Sequence, residues 1–314
     1  RARGGWLLAL ALAGPCTAAA AERTGAGVSP RVSVEAVGVA AAPAESRAPA
    51  AASSVAPAAR RLVVDAIGDS ITAGYARSGD SQGRGAEMDP DGGYPGRLRS
   101  LLEGDLDVRQ RGAGGSTLET WTGVPQGDPV ALEALLRSLW PDLPTRVRAP
   151  RPRQTALAWT LEADRPDIVI LLLGVNDLWI ETLHGGPPDA RGAAARAARA
   201  AATARATGAR VLVATLPANL RDSSGAIEEF NRRLCELEPD CIRLDVEFAK
   251  AGGSALLGDE IHPSPAGHQA IAETMADALV RAGIARRREP PPGTRPAAGP
   301  PGAPLPGPSA GAPR

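Results

Sequence analysis

This sequence lacks net charge, because 35 lysines and arginines balance 35 acidic residues over 314 positions. A balanced chain offers no field that would collect nucleic acid or an anionic membrane surface. The sequence also lacks an apolar run of the roughly 20 residues that a membrane-spanning helix needs. We therefore expect no nucleic-acid partner and no stable membrane anchor, and a neutral small molecule or glycan is easier to accommodate.

Several common motifs are also missing from the sequence. There is no G-x-S-x-G, the nucleophile turn of the α/β-hydrolase fold. The glycine turn at residues 112–114 lacks the third spaced glycine of a dinucleotide site, and no lysine follows a glycine run as in a P-loop. A single histidine among scattered carboxylates is weak evidence for metal ligands. No cofactor and no metal are therefore expected.

The first 20 residues have the pattern of a secretory signal peptide. Arginines stand at positions 1 and 3, residues 6–13 are apolar, and small residues suited to signal-peptidase cleavage follow. Lipid attachment at Cys16 is the alternative, but Pro15 stands where the peptidase involved requires a small residue. The sequence thus predicts a secreted, extracellular protein.

Cysteine is scarce, with three in the whole chain. Removal of the signal peptide would leave Cys235 and Cys241 in a compartment where disulfides persist. We expect these two to be paired, and two buried free thiols are the alternative. The bridge would close a loop of about seven residues and contribute only roughly 2 kcal/mol to stability.

Two long segments have a composition that does not favour folding. Residues 21–59 are rich in alanine and proline, and residues 286–314 are rich in proline and glycine. Neither has the aromatic or branched content to offset its ordering entropy. We interpret them as a disordered linker and a disordered tail, which leaves one folded domain at residues 60–285.

Apolar runs typical of strands alternate with helical patterns inside this domain. The predicted strands are residues 62–67, 106–108, 168–173, 211–215 and 242–246. The predicted helices are residues 95–102, 129–139, a stretch before 164, 190–207, 227–237 and a last helix after Ser264. This alternation predicts an α/β fold with a five-stranded parallel sheet covered on both faces. The long loops at residues 77–93 and 121–153 should gather at the carboxyl edge of the sheet, where ligands bind.

Ser70 lies directly after the first predicted strand, in the sequence GDSITAGY. A serine needs a base to become a nucleophile, and histidine is the usual one. Of the three histidines, His262 follows Asp259 by three residues, so the carboxylate can orient the imidazole. His184 is interpreted as a loop residue, and His268, on the last helix, as a surface residue.

Two further blocks follow predicted strands and supply hydrogen-bond donors. The central strand runs into GVND, which places the amide of Asn176 at the edge that carries Ser70. The second strand runs into GAGGST, where a glycine-rich turn that includes Gly115 can expose backbone N–H groups. Such donors are what a developing oxyanion requires.

The blocks GDS, the glycine turn, GVND and DEIHP, in this order, resemble those of the SGNH (GDSL-like) hydrolase family. The resemblance spans about residues 63–282. It implies a three-layer α/β/α, flavodoxin-like fold with a five-stranded sheet, and Ser70 as nucleophile with His262 as base and Asp259 as its orienting acid. It also implies an oxyanion hole formed by the N–H groups of Ser70 and Gly115 and the amide of Asn176.

The expected activity is hydrolysis of carboxylic esters through an acyl-enzyme. Trp121 comes six residues after Gly115 and Trp179 three after Asn176, so both tryptophans are predicted to rim the cleft and bind substrate. Aromatic walls favour short acyl groups, and burial of either tryptophan in the core is the alternative. Two other functions stay open: acyl transfer to an alcohol acceptor, and glycan binding without catalysis.

Overall fold

The computed structural model describes residues 61–77, 85–104, 106–124, 129–144, 149–183, 186–217, 222 and 224–289. Three of the predicted features lie outside the described residues: the signal peptide, the linker at residues 21–59 and the loop residue His184. The predicted tail at residues 286–314 is described only as far as residue 289. Among the helices that are described, none combines the length and the apolarity needed to cross a bilayer.

Four parallel strands form the central sheet, in the order β5-β1-β6-β7. The strands of the described chain are β1 (Leu62–Gly68), β2 (Tyr75–Arg77), β3 (Glu87–Met88), β4 (Leu102–Glu103), β5 (Leu106–Gly112), β6 (Ile168–Leu172), β7 (Arg210–Val213) and β8 (Arg286–Arg287). All five residues of β6 are buried, as expected of a strand covered on both faces. The predicted α/β class with a parallel sheet is therefore confirmed.

Helices flank this sheet. They are α1 (Ser70–Ala73), α2 (Gly93–Leu101), α3 (Leu118–Thr122), α4 (Pro129–Leu139), α5 (Ala156–Asp164), α6 (Val175–Leu183), α7 (Ala190–Arg205), α8 (Ala226–Leu237), α9 (Leu244–Ala251) and α10 (Pro265–Arg281). Helix α2 packs against α10, and α7 packs against α8. The buried face of α7 consists of alanines, whose small side chains allow neighbouring elements to approach closely.

The prediction of a fifth strand at residues 242–246 is wrong. Only Ile242 pairs with the sheet, through a single parallel bridge to Ala214, and helix α9 begins at Leu244. The N–H of Asp245 donates to Oγ1 of Thr215 at 2.9 Å, so a side chain satisfies an N–H of the first helical turn. Leu244 and Phe248 are both buried, four residues apart, which is helical spacing.

The folded part of the chain continues past the predicted boundary at residue 285. Strand β8 pairs with β4 in antiparallel fashion, and the N–H of Arg288 donates to the carbonyl of Leu101 at 2.9 Å. Arg287 also forms an ion pair with Asp277 of α10 at 2.8 Å. The first residues of the predicted tail therefore hold the end of α10 against β4.

The structure contains the disulfide between Cys235 and Cys241, the pair that the sequence predicts. Cys235 lies in the last turns of α8, and Cys241 precedes Ile242, whose N–H donates to the carbonyl of Val213. The Cα atoms of the two cysteines are 5.4 Å apart, within the usual range for a disulfide. The bridge fastens α8 to the segment beside the edge strand β7.

Candidate active site

Ser70 is the first residue of the one-turn helix α1, directly beyond the carboxyl end of β1. Asp69 caps this turn by accepting the N–H of Ile71 at 2.9 Å. Two glycines let the turn sit close to its neighbours: a Cβ at Gly68 would lie 2.4 Å from the carbonyl oxygen of Leu172. A Cβ at Gly112 would lie 2.2 Å from the backbone nitrogen of residue 73. Neither glycine can be replaced without moving the turn that carries Ser70.

A continuous set of hydrogen bonds joins Ser70, His262 and Asp259. The Oγ of Ser70 is 2.9 Å from Nε2 of His262, and Nδ1 of His262 is 2.9 Å from Oδ2 of Asp259. Because a carboxylate accepts the Nδ1 proton, Nε2 is left free to accept the hydroxyl proton of Ser70. The three side chains predicted from the sequence are therefore in direct contact, in the order that nucleophile activation needs.

The loop that carries Asp259 and His262 is held rigidly. The other carboxylate oxygen of Asp259, Oδ1, accepts the N–H groups of Ile261 at 2.7 Å and His262 at 2.6 Å. The carbonyl of His262 accepts the N–H of Gly258 at 2.8 Å. Ser264 then caps α10, as the sequence predicts, by accepting the N–H of Gly267. The orientation of the imidazole thus depends on backbone contacts as well as on Asp259.

The strand order explains how the candidate oxyanion donors come to surround Ser70. Strand β1 lies between β5 and β6, so the loop that includes Gly115 follows one neighbour and Asn176 follows the other. Gly115 has φ +74°, a conformation that favours glycine, and within the described chain its N–H donates no hydrogen bond. Asn176 lies in the first turn of α6, and its Nδ2 donates one proton to the carbonyl of Ser116 at 2.9 Å. The second Nδ2 proton is left for another acceptor.

Asp69 is fully buried beside Ser70. Its Oδ1 caps α1, whereas its Oδ2 has no hydrogen-bond partner among the described residues. Burial raises the pKa of Asp69 to about 7, and the charge of nearby Asp177 adds to the increase. Asp177 in turn accepts the N–H of Leu118 at 2.8 Å and so links α6 to the start of α3.

The two predicted rim tryptophans differ in their placement. Trp121 is buried, with 2% of its surface exposed, and its ring stacks on Trp140 at a centroid distance of 5.6 Å. The prediction that Trp121 rims the cleft is therefore wrong, because its indole packs into the core and donates to Oγ of Ser116. Trp179 is half-buried on α6, one turn after Asn176, and stays a candidate for the rim.

Tyr75 and His268 lie close to His262 and were not predicted from the sequence to belong to the site. The ring of Tyr75 is half-buried and lies 5.8 Å from the ring of His262. His268 is fully buried, so its assignment to the surface is wrong, and its Nε2 donates to the carbonyl of Tyr75 at 2.9 Å. Burial lowers the pKa of His268, which favours the neutral ring. Tyr75 completes the GDSITAGY block, and this position is the signal that could have identified it.

Comparison with protein families identifies the family of this chain. A model of the GDSL-like Lipase/Acylhydrolase family matches residues 66–270, a range that includes Ser70, Gly115, Asn176, Asp259 and His262. No curated protein sequence matches the chain significantly.

Solved structures similar to this chain have low sequence identity. A member of the lipolytic protein G-D-S-L family from Veillonella parvula DSM 2008 is 18% identical, with a TM-score of 0.45, over 70% of this chain and 99% of that one. Axe2, an acetylxylan esterase from Geobacillus stearothermophilus, is 18% identical, with a TM-score of 0.44, over 69% and 94%. A further solved chain is 19% identical, with a TM-score of 0.51, over 72% and 100%.

Proposed function

We propose that this chain, which belongs to the GDSL-like Lipase/Acylhydrolase family, is a secreted serine esterase that hydrolyses carboxylic esters through an acyl-enzyme. The observation that carries the proposal is the pair of 2.9 Å hydrogen bonds from Ser70 to His262 and from His262 to Asp259. The position of Asp259 also supports the proposal. When the proton of Ser70 moves to His262, an imidazolium forms, and the negative carboxylate of Asp259 stabilises it.

In the first half-reaction, Oγ of Ser70 attacks the ester carbonyl carbon while its proton moves to Nε2 of His262. The carbonyl oxygen becomes an oxyanion that accepts hydrogen bonds from the N–H groups of Ser70 and Gly115 and from Nδ2 of Asn176. His262 then gives its proton to the leaving alkoxy oxygen as the C–O bond breaks. Ser70 is left as an ester of the acyl group, and the alcohol departs.

In the second half-reaction, water takes the place of the alcohol. His262 removes a proton from the water as its oxygen attacks the acyl carbon, and the same donors stabilise the second oxyanion. Return of that proton to Oγ of Ser70 releases the carboxylic acid and restores the starting state. Asp259 stays ionised throughout and holds the imidazole in the tautomer that both steps need.

We propose that short acyl groups are preferred. The half-buried ring of Tyr75 stands next to His262, and a Cβ on Gly114 would lie 3.4 Å from that ring. An aromatic side chain in this position restricts the space beside the nucleophile. Trp179, half-buried one turn after Asn176, is the remaining candidate for an aromatic contact to the acyl group or the alcohol.

Secretion is supported by the signal-like segment at residues 1–20 and by the disulfide between Cys235 and Cys241, since disulfides persist in oxidising compartments. N-terminal sequencing of the protein recovered from the medium of an exporting host tests it. A start near residues 19–22 is the expected result, and retention of residues 1–18 in the exported protein would contradict signal cleavage.

The activity is tested with p-nitrophenyl esters from acetyl to octanoyl and with acetylated sugars. We expect the largest kcat/KM for acetyl or other short esters, and no turnover by Ser70→Ala. The same reactions with an added alcohol acceptor separate hydrolysis from transfer: undiminished release of acid supports the esterase, and replacement of the acid by a new ester indicates an acyltransferase. Absence of turnover on every ester would contradict the proposed function.

A further inference from the structure

Ser116 connects the loop that carries Gly115 to two neighbouring segments, the end of β1 and the start of α6. Its side chain is fully buried, and its Oγ donates to the carbonyl of Gly68 at 3.3 Å, two residues before Ser70. Its carbonyl accepts the amide of Asn176 at 2.9 Å, and its own N–H donates to the carbonyl of Ala113 at 3.1 Å. The position of Ser116 therefore affects both proposed donors that come from outside α1.

Two buried tryptophans hold this loop at both ends. Nε1 of Trp121 donates to Oγ of Ser116 at 3.1 Å, and Nε1 of Trp140 donates to the carbonyl of Gly112 at 3.2 Å. The two rings stack with an interplanar angle of 16° and are at most 2% exposed. Neither indole reaches solvent, so their N–H groups are committed to the loop.

The stacked pair rests on a buried ionic contact. The guanidinium of Arg111 lies 5.8 Å from the centre of the Trp140 ring. Arg111 is itself held by Asp164 at 2.6 Å and by Asp142 at 2.8 Å, which fixes its position on β5. Trp140 directly follows α4, so the long segment between the glycine turn and GVND contributes to the support of the loop.

We infer that Trp121 and Trp140 are positioning residues for the oxyanion-binding loop, an inference that rests on the proposed function. Neither tryptophan touches the reacting atoms. Their N–H groups fix Gly112 and Ser116, and thereby the direction in which the N–H of Gly115 and the amide of Asn176 point. Because those donors act mainly in the transition state, loss of this support lowers kcat more than it raises KM.

The test uses Trp121→Phe in the full chain with p-nitrophenyl acetate. Phenylalanine keeps a six-membered ring for the stack and removes the N–H donor together with the five-membered part of the indole. We expect kcat to fall about tenfold or more while KM changes less than about twofold, since small misplacements of catalytic groups are costly. Ser116→Ala removes this hydrogen bond and also the bond to the carbonyl of Gly68, so it should lower kcat at least as much. Adding Trp121→Phe to Ser116→Ala should then lower kcat little further, because the bond between the two side chains is already lost.

Phe248→Leu, a buried change on α9, is the matched control: it should lower Tm without changing kcat. An unchanged kcat in Trp121→Phe or in Ser116→Ala, measured below the Tm of each variant, overturns the inference. Losses of kcat that add up independently in the double variant also overturn it. If Trp121→Phe does not fold, Trp140→Phe, which removes the N–H bonded to the carbonyl of Gly112, decides instead: a fall in kcat supports the inference, and an unchanged kcat overturns it. Activity that survives Ser70→Ala overturns the proposed function and this inference together, whereas an inactive Ser70→Ala with full kcat in Trp121→Phe overturns the inference only.

Discussion

Asn176 contributes to the site through a single amide group. One Nδ2 proton is bound by the carbonyl of Ser116, and the account assigns the other to the oxyanion. Asn176→Ala should therefore lower kcat by about 10²-fold with a smaller effect on KM. Asn231→Ala is the control, because that buried amide accepts the N–H of Leu216 and donates to its carbonyl, away from Ser70. A pure KM effect in the first variant would make Asn176 a binding residue instead.

Asp69 gives the stability of the protein a defined pH dependence. The unfolded chain ionises this carboxyl near 3.8, whereas burial raises its pKa in the folded protein to about 7. Between about pH 4 and about pH 7 the folded state thus keeps a proton that the unfolded state has released. The stabilisation from this proton is fully present below about pH 4 and is lost as the pH rises through about 7. A difference of about three pKa units corresponds to about 4 kcal/mol.

Asp69→Asn removes this dependence and keeps the oxygen that caps α1. Compared with the wild type, the variant should gain stability as pH rises from about 4 to about 7, by up to about 4 kcal/mol, with no further gain above that range. Urea unfolding at several pH values measures the difference. Asp189→Asn is the control, because Asp189 is the exposed N-cap of α7. Its free energy of unfolding shows how much an Asp-to-Asn change at a helix N-cap alone alters stability. A constant difference from pH 4 to 8 would contradict the assignment.

At single positions, the sequence predicted short-range relations well and burial poorly. The contact among Ser70, Asp259 and His262 could be predicted because each stands in a compact sequence block. Trp121 and His268 were misplaced because their burial depends on partners distant in sequence. Trp121 stacks on Trp140, which follows α4, and His268 donates to the carbonyl of Tyr75, 193 residues away. Nothing local to His268 indicates that contact.

Among the secondary-structure elements, the start of the last helix was predicted correctly, whereas the last predicted strand, residues 242–246, is absent. Ser264 and Pro265 mark the start of α10 as expected, because capping is a local interaction. Residues 242–246 have the branched and apolar composition of a strand. The acidic residues Asp245 and Glu247 and the apolar pair Leu244 and Phe248, four residues apart, fit the start of a helix instead. The contact between Thr215 and Asp245 decides the outcome, and it forms only in the folded protein.

Strand β8 provides a prediction about the end of the domain. A truncated protein of residues 61–289 keeps the pairing of β8 with β4, whereas one of residues 61–285 loses it together with the ion pair between Arg287 and Asp277. We expect both to keep esterase activity, because every proposed catalytic group lies between residues 70 and 262. The shorter protein should melt at a lower temperature. Equal Tm values would show that β8 adds nothing to stability.

At the scale of the whole molecule, the site depends on the order of the strands. Strand β1 delivers Ser70 from the middle, and β5 and β6 bring Gly115 and Asn176 to either side. The loop before α10 then brings His262 across from the other end of the sequence, 192 residues from Ser70. A parallel sheet collects all of these at its carboxyl edge, which is why four separate blocks can act as one site.

Covalent labelling tests whether Ser70 is the nucleophile. A fluorophosphonate forms a bond to an activated serine oxygen with loss of fluoride, and peptide mass spectrometry locates the adduct. We expect one adduct per chain, at Ser70, formed as esterase activity disappears, absent in Ser70→Ala and much slower in His262→Ala. Complete loss of activity with an unmodified Ser70, or labelling of a different serine, would contradict the account.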